Sequence, residues 1–361
     1  MSVLRRLEKG VRRLILGVLV RGHTWPLDQV LGDLLPSSPR ILLIRVDRIG
    51  DAILTTPLLP VIRSRFPDGS IDILLGEKNQ VIASLLLDVD QRIVLRRSHV
   101  LKTIRELRQR RYDVVINLHL KRSAGASLIA RLAGGRQILE HGTAEPGPAA
   151  VSESEGGATH MVALTSRILA PIGVSPIDDS VQDQHSLKLK IPAASIERAR
   201  TTQNQLFDSD NPKSRVFLNL SSSSESRRWP ATKWGQLAHD LAVLGFHPVL
   251  CGTIEDSEAF ATAAAVARGS GVILPPTPSY PDFAANLTMA DLVISADGST
   301  IHLASALGIP TVGLYKAEST AITWAPWGVP HRTISSPGGL QALQTADVIS
   351  AVEDLSREKP S

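Results

Sequence analysis

The stretch "ILLIRVDRIGDAILTTPLLPVIRSRFPD", residues 41–68, joins a strand pattern to a helix pattern. Residues 41–44 are a continuous apolar run, which is typical of a buried strand in a parallel sheet. A short charged loop with Gly50 and Asp51 follows, and the spacing of apolar residues predicts a helix over 51–66. The chain therefore places a carboxylate at the end of a buried strand, beside the start of a helix.

The remainder of the sequence repeats this alternation of apolar strand patterns and amphipathic helix patterns. One series of alternating strands and helices ends before residue 175, and a second series begins after residue 213. Such alternation predicts parallel sheets with helices on both faces, and ligands of these sheets bind beyond the carboxyl ends of the strands. We therefore predict an α/β protein with two Rossmann-like domains that face each other across a cleft.

The predicted division of the chain has five segments. They are a basic amphipathic segment (1–36), a first Rossmann-like domain (37–175), a connection (176–213), a second Rossmann-like domain (214–340) and a C-terminal helix with its tail (341–361).

The composition is that of a folded globular protein without disulfide bonds. Of 361 residues, 43% are hydrophobic and 20% are charged, which is typical of a folded globular protein. The single cysteine, Cys251, excludes an internal disulfide and a thiolate zinc site made by this chain alone. It follows an apolar strand pattern, as a small core residue does, and the sequence suits a reducing compartment. We predict no cofactor, no metal site and no nucleic-acid partner.

The N-terminus combines apolar and basic residues at helical spacing. Leu4, Leu7, Val11, Leu14, Ile15 and Val18 share one helix face, and the basic residues Arg5, Arg6, Lys9, Arg12 and Arg13 lie on the other. The apolar run is too short to span a bilayer, which takes roughly 18 residues. Two interpretations stand: a helix packed on its own domain, or a helix of residues 2–20 on an anionic membrane surface. We favour the membrane.

The loop around Asp51 also has two interpretations. Asp51 occupies a place where it could cap a helix, and capping alone would account for it. However, Gly50 would let the loop approach a ligand, and Pro57 interrupts the predicted helix shortly after Asp51. Local rules tend to break at functional sites, so we predict that Asp51 acts on a substrate, with Arg48 and Gly50 beside it.

A second loop, "NLSSSSESRRWPATKW", follows the first strand pattern of the second half. Ser221 and Ser222 offer hydroxyl groups, Arg227 offers a fixed positive charge, and Pro230 begins a helix. Such groups suit a phosphate or a diphosphate. The alternative is a solvated serine-rich loop with a surface arginine.

A third loop, "VISADGSTIHLASALGIPTVGLY", leads from a strand pattern directly into a helix of small residues. The helix start around Gly298, Ser299 and Thr300 offers backbone amides to an anion, and Asp297 could hold a sugar hydroxyl. His302 lies in the first turn, where we favour a structural role over an acid/base role.

Several catalytic motifs are missing from the sequence. It contains no G-x-G-x-x-G after the first strand pattern, no G-x-x-x-x-G-K-[ST], no G-x-S-x-G and no H-E-x-x-H. Their absence argues against a dinucleotide dehydrogenase, a P-loop NTPase, an α/β-hydrolase of the common type and a zinc protease.

The chain resembles the lipopolysaccharide heptosyltransferases, glycosyltransferase family 9. Four stretches carry the resemblance, in this order: "RVDRIGDAILTTPLL", "RRWPATKW", "DGSTIHLASALGIPTVGLY" and "TWAPWG". The match extends over nearly the whole chain from about residue 40 to residue 330. The resemblance implies a GT-B fold, with the acceptor on the N-terminal domain and the nucleotide sugar on the C-terminal domain. It also implies inversion at the anomeric carbon without a metal.

The resemblance assigns roles to individual residues. Asp51 would be the general base and Arg227 would bind the donor. Asp297 would open the family's D-x-G-x-x-H segment, and His302 would be the histidine of that segment. An acidic residue after the second-domain turn would hold the ribose, and either Glu255 or Glu258 fits. The implied donor is ADP-heptose and the implied acceptor is a lipid-linked saccharide such as the lipopolysaccharide core. The expected location is cytoplasmic, with peripheral attachment to the inner membrane.

The sequence departs from the family pattern in two places near the donor. Gly298 stands one position earlier than the family's glycine, and Lys316 replaces a glycine. Two alternatives therefore stay open: a GT-B glycosyltransferase that uses another nucleotide sugar, and a non-catalytic paralogue that binds a nucleotide sugar.

Overall fold

A computed structural model gives the fold for residue 31 and residues 34–120, 123–141, 159–207, 213–222 and 224–358. The chain divides into two compact units, Met1–Asp179 and Ser180–Ser361. The basic segment of residues 2–20 lies outside the described residues, and the finer five-segment division stays a prediction. In the described part of the chain, no helix is both long enough and apolar enough to cross a membrane.

The first unit is built on a five-stranded parallel sheet. Its strands are β1 (Arg40–Arg45), β2 (Ser70–Gly76), β3 (Gln91–Leu95), β4 (Val114–Asn117) and β5 (Gln137–Glu140). Their order is β3-β2-β1-β4-β5. The order of connection reverses between β1 and β4. Loops that leave these two strands turn to opposite faces of the sheet, which opens a crevice at the carboxyl edge.

Five α-helices of the first unit lie in the described residues. They are α1 (Ile49–Ile53), α2 (Leu58–Arg65), α3 (Val100–Gln109), α4 (Ala124–Ala133) and α5 (Met161–Ser166), with 3-10 turns at Gln80–Leu85, Arg97–His99 and Arg167–Ile172.

The single helix predicted over 51–66 is wrong, because α1 and α2 are separate. The hydroxyl groups of Thr55 and Thr56 donate to the carbonyl oxygens of Asp51 and Ile53. Pro57, the N-cap residue of α2, has no backbone N–H to continue the first helix. The break ends α1 after five residues and fixes the short helix that carries Asp51.

The second unit is built on a six-stranded parallel sheet. Its strands are β6 (Arg215–Asn219), β7 (His247–Cys251), β8 (Val272–Ile273), β9 (Leu292–Ala296), β10 (Thr311–Tyr315) and β11 (His331–Ser335). Their order, β11-β10-β9-β6-β7-β8, is that of a doubly wound nucleotide-binding fold. The switch in connection falls between β6 and β9. The predicted α/β class with two Rossmann-like sheets is confirmed.

The helices of the second unit include one inside the stretch predicted as a connection. They are α6 (Ala193–Leu206), α7 (Ala231–Val243), α8 (Ser257–Ala267), α9 (Tyr280–Leu287), α10 (Ser299–Ala306), α11 (Glu318–Thr323) and α12 (Thr345–Arg357), with 3-10 turns at Asp179–Val181, Glu225–Arg227, Ile254–Asp256 and Leu340–Ala342. Helix α6 packs against α9, and Arg198 of α6 pairs with the buried carboxylate of Asp282.

Each unit has its own apolar core. Leu42, Ile44 and Val115 of the first sheet pack with α3 and α4. In the second unit, Trp229 and Trp234 of the "WPATKW" stretch meet edge to face, with ring centroids 4.8 Å apart. These cores hold the two carboxyl edges that the predicted site residues occupy.

Candidate active site

The residues predicted on the acceptor side lie at the switch point of the first sheet. Arg48 is the N-cap residue of α1, and its side chain makes no capping hydrogen bond. Gly50 is helical and does not need a positive φ. Asp51 lies in the first turn of α1 and is only 9% exposed. The carboxylate therefore lies in the first turn of the helix that follows β1, and it does not occupy the N-cap position.

Burial decides the protonation of Asp51. Removal from water raises the pKa of this carboxyl from 3.8 to about 6, and the nearby carboxylate of Asp47 adds to the rise. The guanidinium groups of Arg45 and Arg48 oppose it. At neutral pH Asp51 is mostly ionised but holds a proton more readily than an exposed aspartate. That is the electrostatic state a general base needs.

A buried arginine supports the loop from beneath. Arg45 is 2% exposed, and its Nε donates to Thr55 Oγ1 at 3.0 Å while Nη1 donates to the carbonyl oxygen of Leu118 at 2.8 Å. Its side chain thereby ties the end of β1 to the loops that follow β1 and β4. The fully buried amide of Asn79 adds a second tie, because it donates to the carbonyl oxygen of Arg45 at 2.8 Å.

His119 and Asp47 face each other beside this arginine. The Nδ1 of His119 lies 2.7 Å from Asn117 Oδ1, so the neutral ring carries its proton on Nδ1. Its Nε2 then turns a lone pair toward Asp47 Oδ2, 3.5 Å away. Burial lowers the pKa of His119 to about 4, and Arg45 lowers it further while Asp47 raises it. Two acceptor atoms therefore adjoin the loop of Asp51, an arrangement suited to a hydroxyl donor.

The donor-side residues lie at the switch point of the second sheet. Asn219, at the end of β6, donates to Ser295 Oγ of β9 at 3.0 Å and ties the two diverging strands together. Beyond these strands, Arg227 Nη1 donates to Asp297 Oδ2 at 3.4 Å. Both side chains are mostly buried, at 15% and 14% exposed. Two residues predicted from separate loops therefore meet at one point.

The serine-rich loop is organised around a carboxylate that the sequence did not single out. Asp256 is 3% exposed and accepts hydrogen bonds from Ser221 Oγ and Thr253 Oγ1. Arg228 Nη1 lies 2.9 Å from its other oxygen. These hydrogen bonds and the guanidinium hold the pKa of Asp256 below its usual value, against the effect of burial. Gly252 permits the arrangement, because a Cβ there would lie 2.5 Å from Ser221 Oγ.

Other predicted donor residues stand around this cluster. The hydroxyl of Ser222 donates to the carbonyl oxygen of Ser224 at 3.1 Å. Glu255 is exposed, and hydrogen bonds from Thr253 and from its own backbone lower the pKa of its carboxyl. Glu258 is exposed in the first turn of α8. The choice of either glutamate for the ribose stays a prediction, and Asp256 lies between them as the buried acid.

The third predicted loop begins helix α10. Gly298 is the N-cap residue and has an extended backbone, and no side chain makes a capping hydrogen bond. The backbone amides of Ser299 and Thr300, in the first turn, are therefore not capped by a side chain. His302 is 3% exposed, its ring lies 6.2 Å from that of Trp324, and burial lowers its pKa to about 4. The ring is enclosed, but its buried Nδ1 has no hydrogen-bond partner among the described residues, and the role of His302 stays a prediction.

Within the described ranges, no group of three or more histidine, cysteine, aspartate or glutamate side chains is placed to hold a metal ion. The positive charge beside the predicted donor residues comes from Arg227 and Arg228.

Sequence reasoning missed five residues of these two clusters: Arg45, Asp47, Asn79, His119 and Asp256. Asp47 and His119 could have been found, because each follows a predicted apolar strand and the ends of parallel strands share one edge. Asp256, and not the neighbouring Glu255, is buried because of how the 3-10 turn Ile254–Asp256 is oriented, and sequence periodicity does not predict that orientation.

The chain is similar to known glycosyltransferases in both sequence and structure. Lipopolysaccharide heptosyltransferase 3 of Escherichia coli is 24% identical over 344 residues, covering 85% of this chain and 96% of the relative. The crystal structure of a family 9 glycosyltransferase from Veillonella parvula superposes with a TM-score of 0.71 at 20% identity, covering 89% of this chain and 98% of the other. The E. coli heptosyltransferase WaaC, solved with ADP-2-deoxy-2-fluoro heptose, gives a TM-score of 0.64 at 22% identity, with 87% and 99% covered.

These structural likenesses confirm the predicted GT-B fold. The family model described as glycosyltransferase family 9 (heptosyltransferase) matches residues 100–347, which is more than half of the chain. The chain therefore belongs to glycosyltransferase family 9, and it is a glycosyltransferase.

Proposed function

We propose that this enzyme transfers heptose from ADP-heptose to a lipopolysaccharide core or a related glycolipid, with inversion and without a metal ion. The observation that carries the proposal is Asp51, a buried carboxylate at the carboxyl end of β1 with a pKa of about 6. Names of relatives support the choice of sugar and acceptor, since they include a lipopolysaccharide heptosyltransferase and a structure with an ADP-heptose analogue.

In the proposed reaction, an acceptor hydroxyl attacks the anomeric carbon from the face opposite the diphosphate. The new bond joins the acceptor oxygen to that carbon, and the bond from the carbon to the diphosphate oxygen breaks. Asp51 takes the hydroxyl proton as the bond forms, which keeps the acceptor oxygen nucleophilic. ADP leaves with the electron pair of the broken bond.

The negative charge that develops on ADP needs positive partners. Arg227 is the proposed diphosphate ligand, because its guanidinium lies beside Asp297 at the switch point of the second sheet. The opening amides of α10, at Ser299 and Thr300, are proposed to bind the same phosphates. Ser221 is proposed to hold the serine-rich loop in place for the donor, since its hydroxyl already donates a hydrogen bond to Asp256.

The decisive experiment measures turnover with a panel of ADP-, GDP- and UDP-sugars on truncated lipopolysaccharide acceptors. We expect ADP-heptose to be used best and turnover to persist in EDTA. Preference for another nucleotide sugar would reject the donor assignment. Loss of turnover in EDTA, with recovery on adding magnesium or manganese, would reject the metal-independent step.

We also propose peripheral attachment to the cytoplasmic face of the inner membrane through residues 2–20. The sequence supports this attachment, because five basic residues fall within nine positions, from Arg5 to Arg13, opposite an apolar helix face. Co-sedimentation with anionic and neutral vesicles tests it, using a full-length variant in which these five residues are replaced by glutamine. Equal binding by this variant would reject the attachment.

A further inference from the structure

Helix α3 of the first unit exposes a face of basic residues. Thr103 and Leu107 are its buried side chains, and they face the sheet and α4. The opposite face carries Leu101, Lys102, Arg105 and Arg108, and all four are exposed. Residues 101, 105 and 108 follow the spacing of one helix face, and residue 102 lies one turn before 105. We call these four residues the α3 basic face.

The charges of the α3 basic face are not balanced by acids. Among the described residues, no carboxylate lies within ion-pair distance of Lys102, Arg105 or Arg108. The neighbouring acid Glu106 is engaged elsewhere, because it pairs with Arg110 at 2.9 Å. Arg110 also pairs with the buried Asp72 at 3.0 Å. Arg110, the C-cap residue of α3, therefore has a structural role, and the three cations of the α3 basic face are directed to solvent.

An apolar side chain projects beside these cations. Leu101 is 84% exposed, so the cations of α3 stand beside an apolar side chain that solvent reaches. It lies in the first turn of α3, one residue before Lys102. Cations next to an exposed apolar residue match the chemistry of a bilayer interface, where headgroups are anionic and the acyl boundary is apolar.

Helix α3 begins near the sheet edge that carries Asp51. The helix follows β3, and the carboxyl end of β3 lies at the same sheet edge as the end of β1, two strands away. Leu101 and Lys102 lie in the first turn, nearest that edge. A bilayer held by α3 would therefore lie on the first unit near the edge that carries Asp51.

We propose that the α3 basic face is a docking surface for an anionic lipid bilayer. A single-stranded nucleic acid would also be attracted by three cations. The exposed Leu101 favours the bilayer, and α3 carries no aromatic side chain on which a base could stack. The surface is independent of residues 2–20, and it does not rest on the proposed reaction.

The test measures partitioning of the full chain onto vesicles of phosphatidylcholine with and without phosphatidylglycerol. The variant Lys102→Gln/Arg105→Gln/Arg108→Gln removes three charges from α3. A matched control, Lys190→Gln/Arg200→Gln/Arg268→Gln, removes three exposed charges from the second unit. Both are made in the parent chain and in the background that lacks the five basic residues of segment 2–20.

We expect the α3 variant to bind anionic vesicles about 100-fold more weakly in both backgrounds, since each lost charge near the surface weakens binding by roughly fivefold. The control should change little, and neither variant should alter the weak binding to phosphatidylcholine alone. Leu101→Ser should weaken anionic binding while leaving the dependence on salt unchanged. Turnover on a delipidated, soluble acceptor should be the same in all variants, which separates this surface from the proposed reaction.

Three results would overturn the proposal. The first is equal partitioning of the α3 variant and the parent chain in both backgrounds. The second is an equal loss in the control. The third is tight binding of single-stranded nucleic acid that depends on Lys102, Arg105 and Arg108 while vesicle binding does not. The single variant Arg105→Glu repeats the measurement if the triple variant folds poorly, and circular dichroism establishes folding for each.

Discussion

Asp51 combines features that a purely structural carboxylate does not need. It is buried, it lies inside the first turn of α1, and its pKa is raised to about 6 by loss of water. We expect Asp51→Asn to lower the rate of transfer by roughly 100-fold or more, since the amide cannot accept a proton. Donor affinity should stay within a few fold. Steady-state kinetics and calorimetry measure the two effects, and near-normal turnover would assign Asp51 a structural role.

The same pKa predicts how the rate depends on pH. The base works only when ionised, so the rate in the wild type should rise with pH up to about 6 and level off above it. In Asp51→Asn the residual rate should lack this rise. A wild-type profile that is flat between pH 5 and 8 would contradict the assignment.

Stability provides a second, independent readout of Asp51. The folded chain raises the pKa of this carboxyl above 3.8, so it binds the proton more tightly when folded. The unfavourable contribution of the carboxylate is therefore absent below pH 4, grows as pH rises, and is complete above pH 6. Asp51→Asn should stabilise the protein by about 1–3 kcal/mol at neutral pH, and this gain should vanish in acid. Denaturant unfolding at neutral and at acid pH checks it, and a loss of stability at neutral pH would show that the ionised carboxylate stabilises the fold.

The adjacent arginines of the second unit should separate by function. Arg227 faces Asp297, whereas Arg228 neutralises the buried Asp256. Arg227→Ala should weaken ADP binding by about 1.5–3 kcal/mol, the usual contribution of a charge-assisted hydrogen bond. Arg228→Ala should instead lower stability by about 1–3 kcal/mol, because it leaves a buried carboxylate without its cation. Titration calorimetry with thermal unfolding distinguishes them, and equal small effects on affinity would reject Arg227 as a phosphate ligand.

At the scale of elements, the loop after β1 is held in its conformation by Asn79, a residue of the loop after β2. Asn79 is fully buried and binds three backbone groups: the carbonyl oxygens of Arg45 and Arg48, and the amide of Gly76. Asn79→Ala would leave these groups without partners, and we expect a loss of about 2–4 kcal/mol in stability. Turnover should also fall, with little change in ADP affinity, because the affected loop carries Asp51. Unchanged turnover in the folded variant would show that the loop holds its shape alone.

Sequence periodicity predicts long elements better than their breaks. The alternation of apolar strands and helices identified both sheets, because a strand buried on both faces must be apolar along its length. It missed the break between α1 and α2, which depends on hydroxyl groups of Thr55 and Thr56 that bind the backbone. It also missed β5 and β11, which are edge strands of four and five residues; only the two central residues of β5 are buried, and β11 has no buried residue. Their pairing is set by the neighbouring strand.

At the scale of the molecule, the predicted site residues fall into two groups because each sheet has its own switch point. Asp51 follows β1 in the first sheet, and Arg227 and Asp297 follow β6 and β9 in the second. Sequence could place each group at a carboxyl edge, since topology requires it. It could not identify the contacts within a group, such as His119 with Asp47, because they depend on side-chain rotamers at the ends of loops.

This separation predicts how the whole protein responds to ADP alone. Every residue proposed to bind the diphosphate lies in the second unit, which has its own sheet and core. ADP should therefore slow amide hydrogen exchange in peptides that cover 220–230 and 296–302, since bound phosphate engages the loop after β6 and the start of α10. Peptides that cover 45–56 should change less, because no proposed ADP contact lies there.

The control for this measurement is Arg227→Ala, in which the slowing should largely disappear at the same ADP concentration. GDP and UDP should protect the same peptides more weakly if adenine is recognised. Protection that is strongest over 45–56 would place the nucleotide on the first unit. That outcome would reverse the assignment of donor and acceptor to the two sheets, because the base Asp51 would then lie beside the diphosphate and Arg227 would face the acceptor.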